Sequence, residues 1–405
     1  MKKLLKIIII LLILTALSFG GYKLYWYIRI KYAKIEVELN EDLTIEFTKN
    51  VKASSFIKSI NGKITNDYLI DSTKVGKQDV VIKFKNDDGI PVKYKFEVEV
   101  VDTVKPIVWI GSSYRVKKGE KFNYNKIMCG DNYDKRPKCY IEGKYDTNKV
   151  GSYPLTFIAE DSSGNTTAEE FVLNVYEPTP VTANDNKNQD NSNEMVNFTR
   201  YDKTYDKYKT NTNKIGIDVS KWQGDIDFEA LKNDRVEFVI IRVGYTKGPN
   251  GEYILDPKFK DNIEGATKNN IPVGLYFYSY ADSVEHAIKD AKWVVDQIKD
   301  YKIDLPIAFD WEEWKDFNEY NISFYELTRM GESFIDTVEK AGYKGMLYSS
   351  KSYLEYIWLP TNKDIWLAHY TDKTTYKGKY KFWQLCDDGK VDGIKGHVDV
   401  DIMYE

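Results

Sequence analysis

The sequence predicts a multidomain chain: an N-terminal transmembrane helix, two small all-β sandwiches, and a C-terminal closed β/α barrel. Three observations carry this. The chain opens on an apolar stretch from Ile7 to Gly21, continued by the aromatic-rich segment Tyr22 to Ile28. Short alternating strands then recur at a fixed offset, with Ile70-Asp71-Ser72-Thr73-Lys74-Val75-Gly76 aligning with Tyr145-Asp146-Thr147-Asn148-Lys149-Val150-Gly151, 75 residues later. From Ile215 onward, continuous apolar strands alternate with amphipathic helices, the pattern of a parallel sheet covered by helices.

The first element is read as a signal anchor over residues 1–34. Lys2, Lys3 and Lys6 precede it, and residues 7–30 exceed the ~20 residues that span a hydrocarbon core. Tyr22, Tyr25, Trp26 and Tyr27 form an interfacial belt in which Lys23 can snorkel. The competing reading is a cleaved signal peptide, with Ser18 and Gly20 as its small residues. Both place the rest of the chain outside the cytoplasm. The first gives a single-pass cell-membrane protein and the second a secreted one.

Residues 35–102 and 103–177 are the two β-sandwich modules. Val80-Val81-Ile82-Lys83-Phe84 and Phe171-Val172-Leu173-Asn174-Val175 read as strands. Asp161-Ser162-Ser163-Gly164-Asn165 supplies a hairpin turn with residues that tolerate positive φ. Cys129 and Cys139 lie in the second module. Outside the cytoplasm they are expected to form a disulfide, contributing on the order of 2–3 kcal/mol at most; two buried free thiols are the alternative. Cys386 is left unpaired. Residues 178–213 shift to Asn, Asp, Lys and Thr with few aliphatics and predict a flexible linker with an r.m.s. reach on the order of 30 Å. Tyr201, Tyr205 and Tyr208 at its end are candidates to dock on the next domain.

Residues 214–405 supply the barrel. Strands are expected at 215–219, 238–243, 273–278, 307–310, 345–348, 365–368 and 382–385, so seven or eight fit a TIM-like ring. Val284, Ala287, Ile288, Ala291, Val294, Val295 and Ile298 share one helical face, with Asp282 and Glu285 placed to cap it. Ser323 and Glu326 form a capping box for a helix that Gly342 ends. Functional residues then belong at the carboxyl ends of the strands. Asp218, Tyr278, Asp310, Glu312 and Tyr348 fall there, and Val398-Asp399-Val400-Asp401 adds a further acid pair.

Asp310-Trp311-Glu312 is the most informative of these. Two acids two positions apart on a strand share a face, and paired carboxylates in a cleft suit the cutting of a glycosidic bond. The bland alternative is two solvated acids at a strand end. Other chemistries lack their parts. The three histidines (His286, His369 and His397) are scattered, and the three cysteines have no zinc spacing. No Gly-rich phosphate loop follows a strand, and no nucleophile has an obvious base. A net charge of −4 argues against nucleic acid. No metal or cofactor is implied. Aromatics make up 15% of the chain, and rings stack on sugar faces. Trp222, Tyr245, Tyr278, Tyr348, Trp366, Tyr370 and Trp383 are the candidates, each with a place in the core as its alternative. His369 and His397 are given no catalytic role.

Gly216-Ile217-Asp218-Val219-Ser220 with Trp222-Gln223-Gly224 resembles the opening motif of glycoside hydrolase family 25, the Chalaropsis-type lysozymes. Phe238-Val239-Ile240-Ile241-Arg242, Gly274-Leu275-Tyr276, Asp310-Trp311-Glu312, Trp383-Gln384 and Val398-Asp399 follow in that family's order. The resemblance covers residues 214–405. It implies an irregular β/α barrel and N-acetylmuramidase activity on the β-1,4 bond between N-acetylmuramic acid and N-acetylglucosamine in peptidoglycan. It casts Glu312 as general acid and Asp310 as the partner that steadies charge at the anomeric carbon, with net retention and the substrate's 2-acetamido group as a candidate nucleophile. Asp218 and Asp399 become the further acids of the cleft. Asp401 stands where the family often has asparagine, which leaves the supporting acid open between Asp399 and Asp401. In the second module, Asp102-Thr103-Val104-Lys105-Pro106 and Ala159-Glu160-Asp161-Ser162-Ser163-Gly164-Asn165 resemble bacterial immunoglobulin-like surface domains. The expected partners are peptidoglycan, the membrane through the N-terminal helix, and a cell-surface protein through the β-modules. The rival readings are a non-catalytic wall-binding protein and an adhesin.

Overall fold

A computed structural model describes residues 2–178 and 199–405. Met1 and residues 179–198, most of the expected linker, lie outside the described residues. The chain divides into two compact units, Met1–Thr103 and Val104–Glu405.

The first unit begins with a helix over Lys2–Lys31. Its Ile9–Lys31 portion is long and apolar enough to cross a membrane, with a mean hydropathy of 1.5. Ile9 to Leu14, Leu17 and Phe19 are exposed, so apolar side chains surround the axis. Such a helix lacks the polar face that water requires. The β-module after it has a four-stranded sheet in the order Thr44–Glu46, Pro91–Val101, Gly76–Asn86 and Gly62–Asn66. A two-stranded sheet pairs Val37–Leu39 with Ile57–Ile60. Alternate residues Val80, Ile82 and Phe84 meet Phe96, Val98 and Val100 in its core.

The second unit opens on a module of the same plan. Its four-stranded sheet runs Lys138–Glu142, Gly151–Glu160, Thr166–Tyr176 and Ser113–Lys117, and Ile107–Trp109 pairs with Met128–Gly130. The 75-residue offset relates the long hairpin strands, which start at Gly76 and Gly151. Gly89 (φ 73°) and Gly164 (φ 88°) take the same left-handed turn position, where a side chain would be strained. A Cys129–Cys139 disulfide joins the small sheet to the large one.

Regular structure is present before residue 213, inside the stretch expected to be linker. Thr199–Arg200 pairs with Gly389–Lys390, and Tyr201–Tyr208 is helical. Tyr201 is fully buried, its hydroxyl donating to the Ile215 carbonyl at 3.0 Å. Tyr201, Tyr205 and Tyr208 recur at helical spacing, and this aromatic stripe gives an otherwise polar stretch a face to bury.

The barrel strands are β1 (Asn213–Val219), β2 (Val239–Thr246), β3 (Val273–Tyr278), β4 (Ile307–Asp310), β5 (Gly345–Ser350), β6 (Asp364–Ala368), β7 (Phe382–Lys390) and β8 (Val398–Tyr404). Each from β1 to β6 pairs in parallel with the next. The last strand, β8, runs antiparallel to both β7 and β1 and closes the ring. Among the described residues no helix separates β6 from β7 or β7 from β8, so the ring departs from a uniform β/α repeat. Its helices are α1 (Phe228–Asn233), α2 (Phe259–Lys268), α3 (Val284–Ile298), α4 (Phe317–Tyr320), α5 (Phe324–Lys340) and α6 (Lys351–Tyr356). The cap of α3 is Ser283, which accepts from the His286 N–H. Asp282, the expected cap, instead reaches the His286 ring. The Ser323/Glu326 capping box does start α5, and Gly342 follows its end at φ 95°.

Strand alternation divides the ring into two lanes. Ile217, Ile241, Leu275, Phe309, Leu347, Leu367 and Val400 face the helices. Phe238, Ile240, Ala308, Met346, Phe382 and Met403 pack inside the ring. The same inward lane, followed toward the carboxyl ends of β1 to β7, reaches Asp218, Arg242, Tyr276, Asp310, Tyr348 and Gln384. An apolar floor thus carries a polar layer.

The second β-module docks directly on this barrel, where the sequence suggested only a flexible linker over residues 178–213 between them. The Asn318 side chain of α4 accepts from the Cys129 N–H at 2.9 Å and donates to the carbonyls of Asn125 (2.9 Å) and Ile127 (2.7 Å). The first N–H groups of α5, from Phe324 and Tyr325, donate to the Asp131 and Asn132 carbonyls at 2.8 and 3.2 Å. Helix starts leave such donors unsatisfied, and here another module supplies the acceptors. Met128 joins the barrel's outer core, and Lys126 pairs with Asp316 and Glu319. A Cβ at Gly130 would lie 2.6–2.7 Å from the Phe324 and Phe317 rings, so this contact requires glycine.

Candidate active site

The acid pair is split between a strand and a loop. Asp310 ends β4, whereas Glu312 lies two residues past it, so the two do not share a strand face as the spacing suggested. What fixes the turn is Trp311. It is fully buried, donates from Nε1 to the Ala281 carbonyl at 3.0 Å, and meets Trp314 at a centroid distance of 4.9 Å. Asp310 is 5% exposed, and its Oδ1 has no hydrogen-bond partner. Glu312 is exposed and lines a cavity of about 390 Å³ with Tyr348, Ser350, Lys351, Ser352, Ala368, His369 and Tyr370. A larger cavity, about 690 Å³ between Asp225–Glu229, Gly265–Asn269 and Gly393–Lys395, holds none of these acids.

The two carboxyls are electrostatic neighbours. Burial, then the charge of Glu312, then that of Asp218, push the Asp310 pKa well above the ordinary carboxylate range, while the Arg242 guanidinium opposes the rise. Glu312 is also raised, first by desolvation within its walled cavity and then by Glu313. Its tip meets solvent, yet protein surrounds it closely enough to penalise the charge.

Arg242 is nearly buried. Its Nε donates to Asp256 at 2.7 Å, and its Nη2 has no partner. Asp310 and Arg242 therefore each keep one buried polar atom uncommitted. Buried groups of this kind are rare in folded proteins and cluster where a ligand completes them.

Asp218 belongs to a second acid group. It faces Asp399 across the β1–β8 ladder, with Asp401 two residues along. Gln384 Nε2 donates to Asp218 Oδ2 at 2.7 Å, and Gln384 Oε1 accepts from Tyr348 at 2.8 Å and from Tyr370 at 3.1 Å. Trp366 Nε1 donates to Asp401 Oδ1 at 2.8 Å. Burial and then the charge of Asp401 raise Asp218; burial and then the Trp366 bond act in opposite senses on Asp401, with a net rise. Asp399 is pushed up to about 9, first by desolvation and then by Asp218. Burial and mutual repulsion thus favour the protonated carboxyls in this group, and Asp401 Oδ2 has no hydrogen-bond partner.

The aromatic candidates separate by lane. Trp222 is 75% exposed at the turn after β1, and Tyr370 is 52% exposed on the cavity wall. Tyr348 is buried but still lines that wall. Tyr278 is half-buried and donates to Glu313 Oε1 at 3.0 Å. Tyr245 is half-buried near Arg242 and Lys221. Trp366 and Trp383 are corrected. Trp366, 2% exposed, lies inside the ring beneath the rim as the donor to Asp401. Trp383 faces the helices, with its Nε1 on the His369 carbonyl. Asp401 is fully buried and contacts the site through its neighbours. Sequence reasoning did not single out Arg242, Gln384, Tyr276 or Glu313 as site residues. Their inward parity at the strand ends was the available signal for the first three.

Known proteins share part of this chain's sequence. The profile of glycosyl hydrolases family 25 matches residues 217–394. The uncharacterized protein YegX of Escherichia coli strain K12 is 29% identical over 200 residues, covering 46% of this chain and 68% of its own. The autolytic lysozyme of Clostridium acetobutylicum is 28% identical over 193 residues, covering 47% of this chain and 56% of its own. The structure of a family 25 glycosyl hydrolase from Bacillus anthracis superposes with a TM-score of 0.42 at 25% identity, over 49% of this chain and 92% of that one. Over residues 217–394 this chain therefore carries a domain of glycosyl hydrolase family 25.

Proposed function

We propose that the chain is a membrane-anchored peptidoglycan hydrolase, an N-acetylmuramidase that cleaves the β-1,4 bond between N-acetylmuramic acid and N-acetylglucosamine. The observation that carries this is the neighbouring pair of Asp310, buried with an uncommitted oxygen, and Glu312, open to the cavity with a raised pKa. The family match and the similarity to a protein named an autolytic lysozyme point to the same class of substrate.

Glu312 is the general acid. Taken singly, Asp310 is the more strongly raised of the two, being the more buried, but it has no open route to a leaving group. With the shared proton on Glu312, the largest like-charge opposition to Asp310 is gone, and the Arg242 guanidinium favours its anion. Glu312 then protonates the departing glycosidic oxygen. Asp310 stabilises the positive charge at the anomeric carbon and orients the substrate's 2-acetamido group, which gives net retention. Asp218, through Gln384, holds Tyr348 and Tyr370 against the sugar, and Asp399 faces Asp218 across the β1–β8 ladder as the further acid of the cleft. The Lys2–Lys31 helix anchors the chain with its bulk outside the cell.

The test is clearing of a peptidoglycan suspension by the full chain, with Glu312→Gln as control. Clearing by the parent and none by the variant supports the enzyme; equal clearing, or none by either, contradicts it.

A further inference from the structure

We infer that Trp109 of the second β-module, together with Tyr356 of the barrel, forms a shelf that binds amino-sugar units of the glycan strand beyond the catalytic cavity. This rests on the glycan-hydrolase reading and adds a binding site outside the barrel's own cleft. Trp109 ends the short strand Ile107–Trp109 and remains 39% exposed; Tyr356 ends α6 and is 62% exposed. Their ring centroids lie 6.3 Å apart.

The shelf is continuous with the acid site. The Trp109 ring lies 5.2 Å from Tyr353, which stacks on Trp314 at 3.9 Å, in the loop that follows Glu312. Burial and then the charge of Glu312 raise the pKa of the Tyr353 hydroxyl, so the two side chains are within electrostatic reach. Ser350, Lys351 and Ser352 line the Glu312 cavity, and α6 runs from them to Tyr356. One short helix thus joins the cavity wall to the shelf.

Docking accounts for only part of these rings. Trp109 meets Tyr353, and Ile107 of its strand packs on the barrel core, yet Trp109 and Tyr356 stay exposed; the polar docking contacts lie at Asn318, the start of α5 and Lys126. Exposed rings that continue a polar cavity mark a binding groove. A pyranose presents a face of C–H groups to an aromatic ring while its hydroxyl and acetamido groups stay in water, so a neutral aromatic shelf suits the glycan backbone. The docking contacts hold Trp109 in place before substrate arrives, which limits the ordering cost of binding.

The test uses the full chain carrying Glu312→Gln, so that binding is measured without turnover. Soluble uncrosslinked glycan strands from peptidoglycan, and a tetrasaccharide cut from them, are titrated by calorimetry. Adding Trp109→Ala or Tyr356→Ala is expected to lower the ratio of long-strand to tetrasaccharide affinity about three- to tenfold, and Trp109→Phe to restore most of it. An unchanged ratio in both alanine variants overturns the shelf. So does an equal loss on both ligands, which marks Trp109 as a docking anchor alone. Shelf-dependent binding by a chain whose Glu312 form clears no peptidoglycan sinks the cleavage reading and leaves the shelf standing; normal clearing with an unchanged ratio does the reverse.

Discussion

The two acid groups of the barrel have similar residues and opposite circumstances. Asp218, Asp399 and Asp401 sit where β1 meets the antiparallel strand β8, with Gln384 and Trp366 donating to them. Asp310 and Glu312 sit where a parallel strand gives way to a loop, with an uncommitted oxygen on one and solvent at the other. The first group is a largely buried support, hydrogen-bonded except at Asp401 Oδ2. The second reaches the open cavity through Glu312. Chemistry follows from which carboxyl can meet a ligand, and Glu312 is the one that lines the cavity.

Substitution sharpens this contrast, and the largest effect belongs to the open pair. Glu312→Gln is expected to lower turnover about 10²–10⁴-fold, the usual scale of general acid catalysis. Its thermal unfolding temperature is expected not to fall, because the amide replaces a carboxyl whose charge the fold disfavours. Activity assays beside calorimetry check both halves. A large loss of stability would place Glu312 among the supports.

Gln384→Ala comes next and strikes the other group. It leaves Asp218 without its donor and the Tyr348 and Tyr370 hydroxyls without their acceptor. Buried polar groups stranded in this way cost about 1–3 kcal/mol, to be read by denaturant unfolding, and activity falls with the displaced tyrosines.

Asp399→Asn tests the protonation assigned to the support. In the folded chain burial and then the charge of Asp218 push the Asp399 pKa up to about 9, against the ordinary carboxylate range when unfolded. Between those values the folded state holds a proton that the unfolded state has released. Stability is therefore fullest below the ordinary range and falls as pH rises toward 9. The asparagine variant is expected to show a flatter decline of melting temperature over that interval. An identical slope would mean that Asp399 is ionised in the fold.

The smallest effect is expected from Glu313→Gln. Removing a negative charge beside Glu312 lowers its pKa, since Glu313 helps to raise it. The alkaline limb of kcat/KM moves to lower pH, while Tyr278 keeps an amide oxygen to donate to. A limb that stays in place would separate Glu312 from that ionisation.

Much of the barrel is legible in the sequence, because its outward lane is apolar in nearly every strand and Ser323 and Glu326 announce a helix start. The acids Asp218, Asp310 and Glu312 stand out because each breaks an apolar run. Parity was the missing step. Trp366 and Trp383 lie on neighbouring strands and look alike in sequence, yet one points into the ring and the other toward the helices. Arg242 and Gln384 hid in apolar strands because their partners, Asp256 and Asp218, come from other elements. The docked module was illegible for the same reason. Asn318 is an ordinary polar residue until Cys129, Asn125 and Ile127 are brought to it by the fold.

Cleavage by a protonated Glu312 beside an ionised Asp310 is tested most directly by the identity of the ends it makes. Purified peptidoglycan is digested with the full chain, reduced with borohydride, and its fragments read by mass spectrometry. The expected result is reduced N-acetylmuramic acid at the new ends, absent from a Glu312→Gln digest. New ends at N-acetylglucosamine, or the same ends from both proteins, would contradict it.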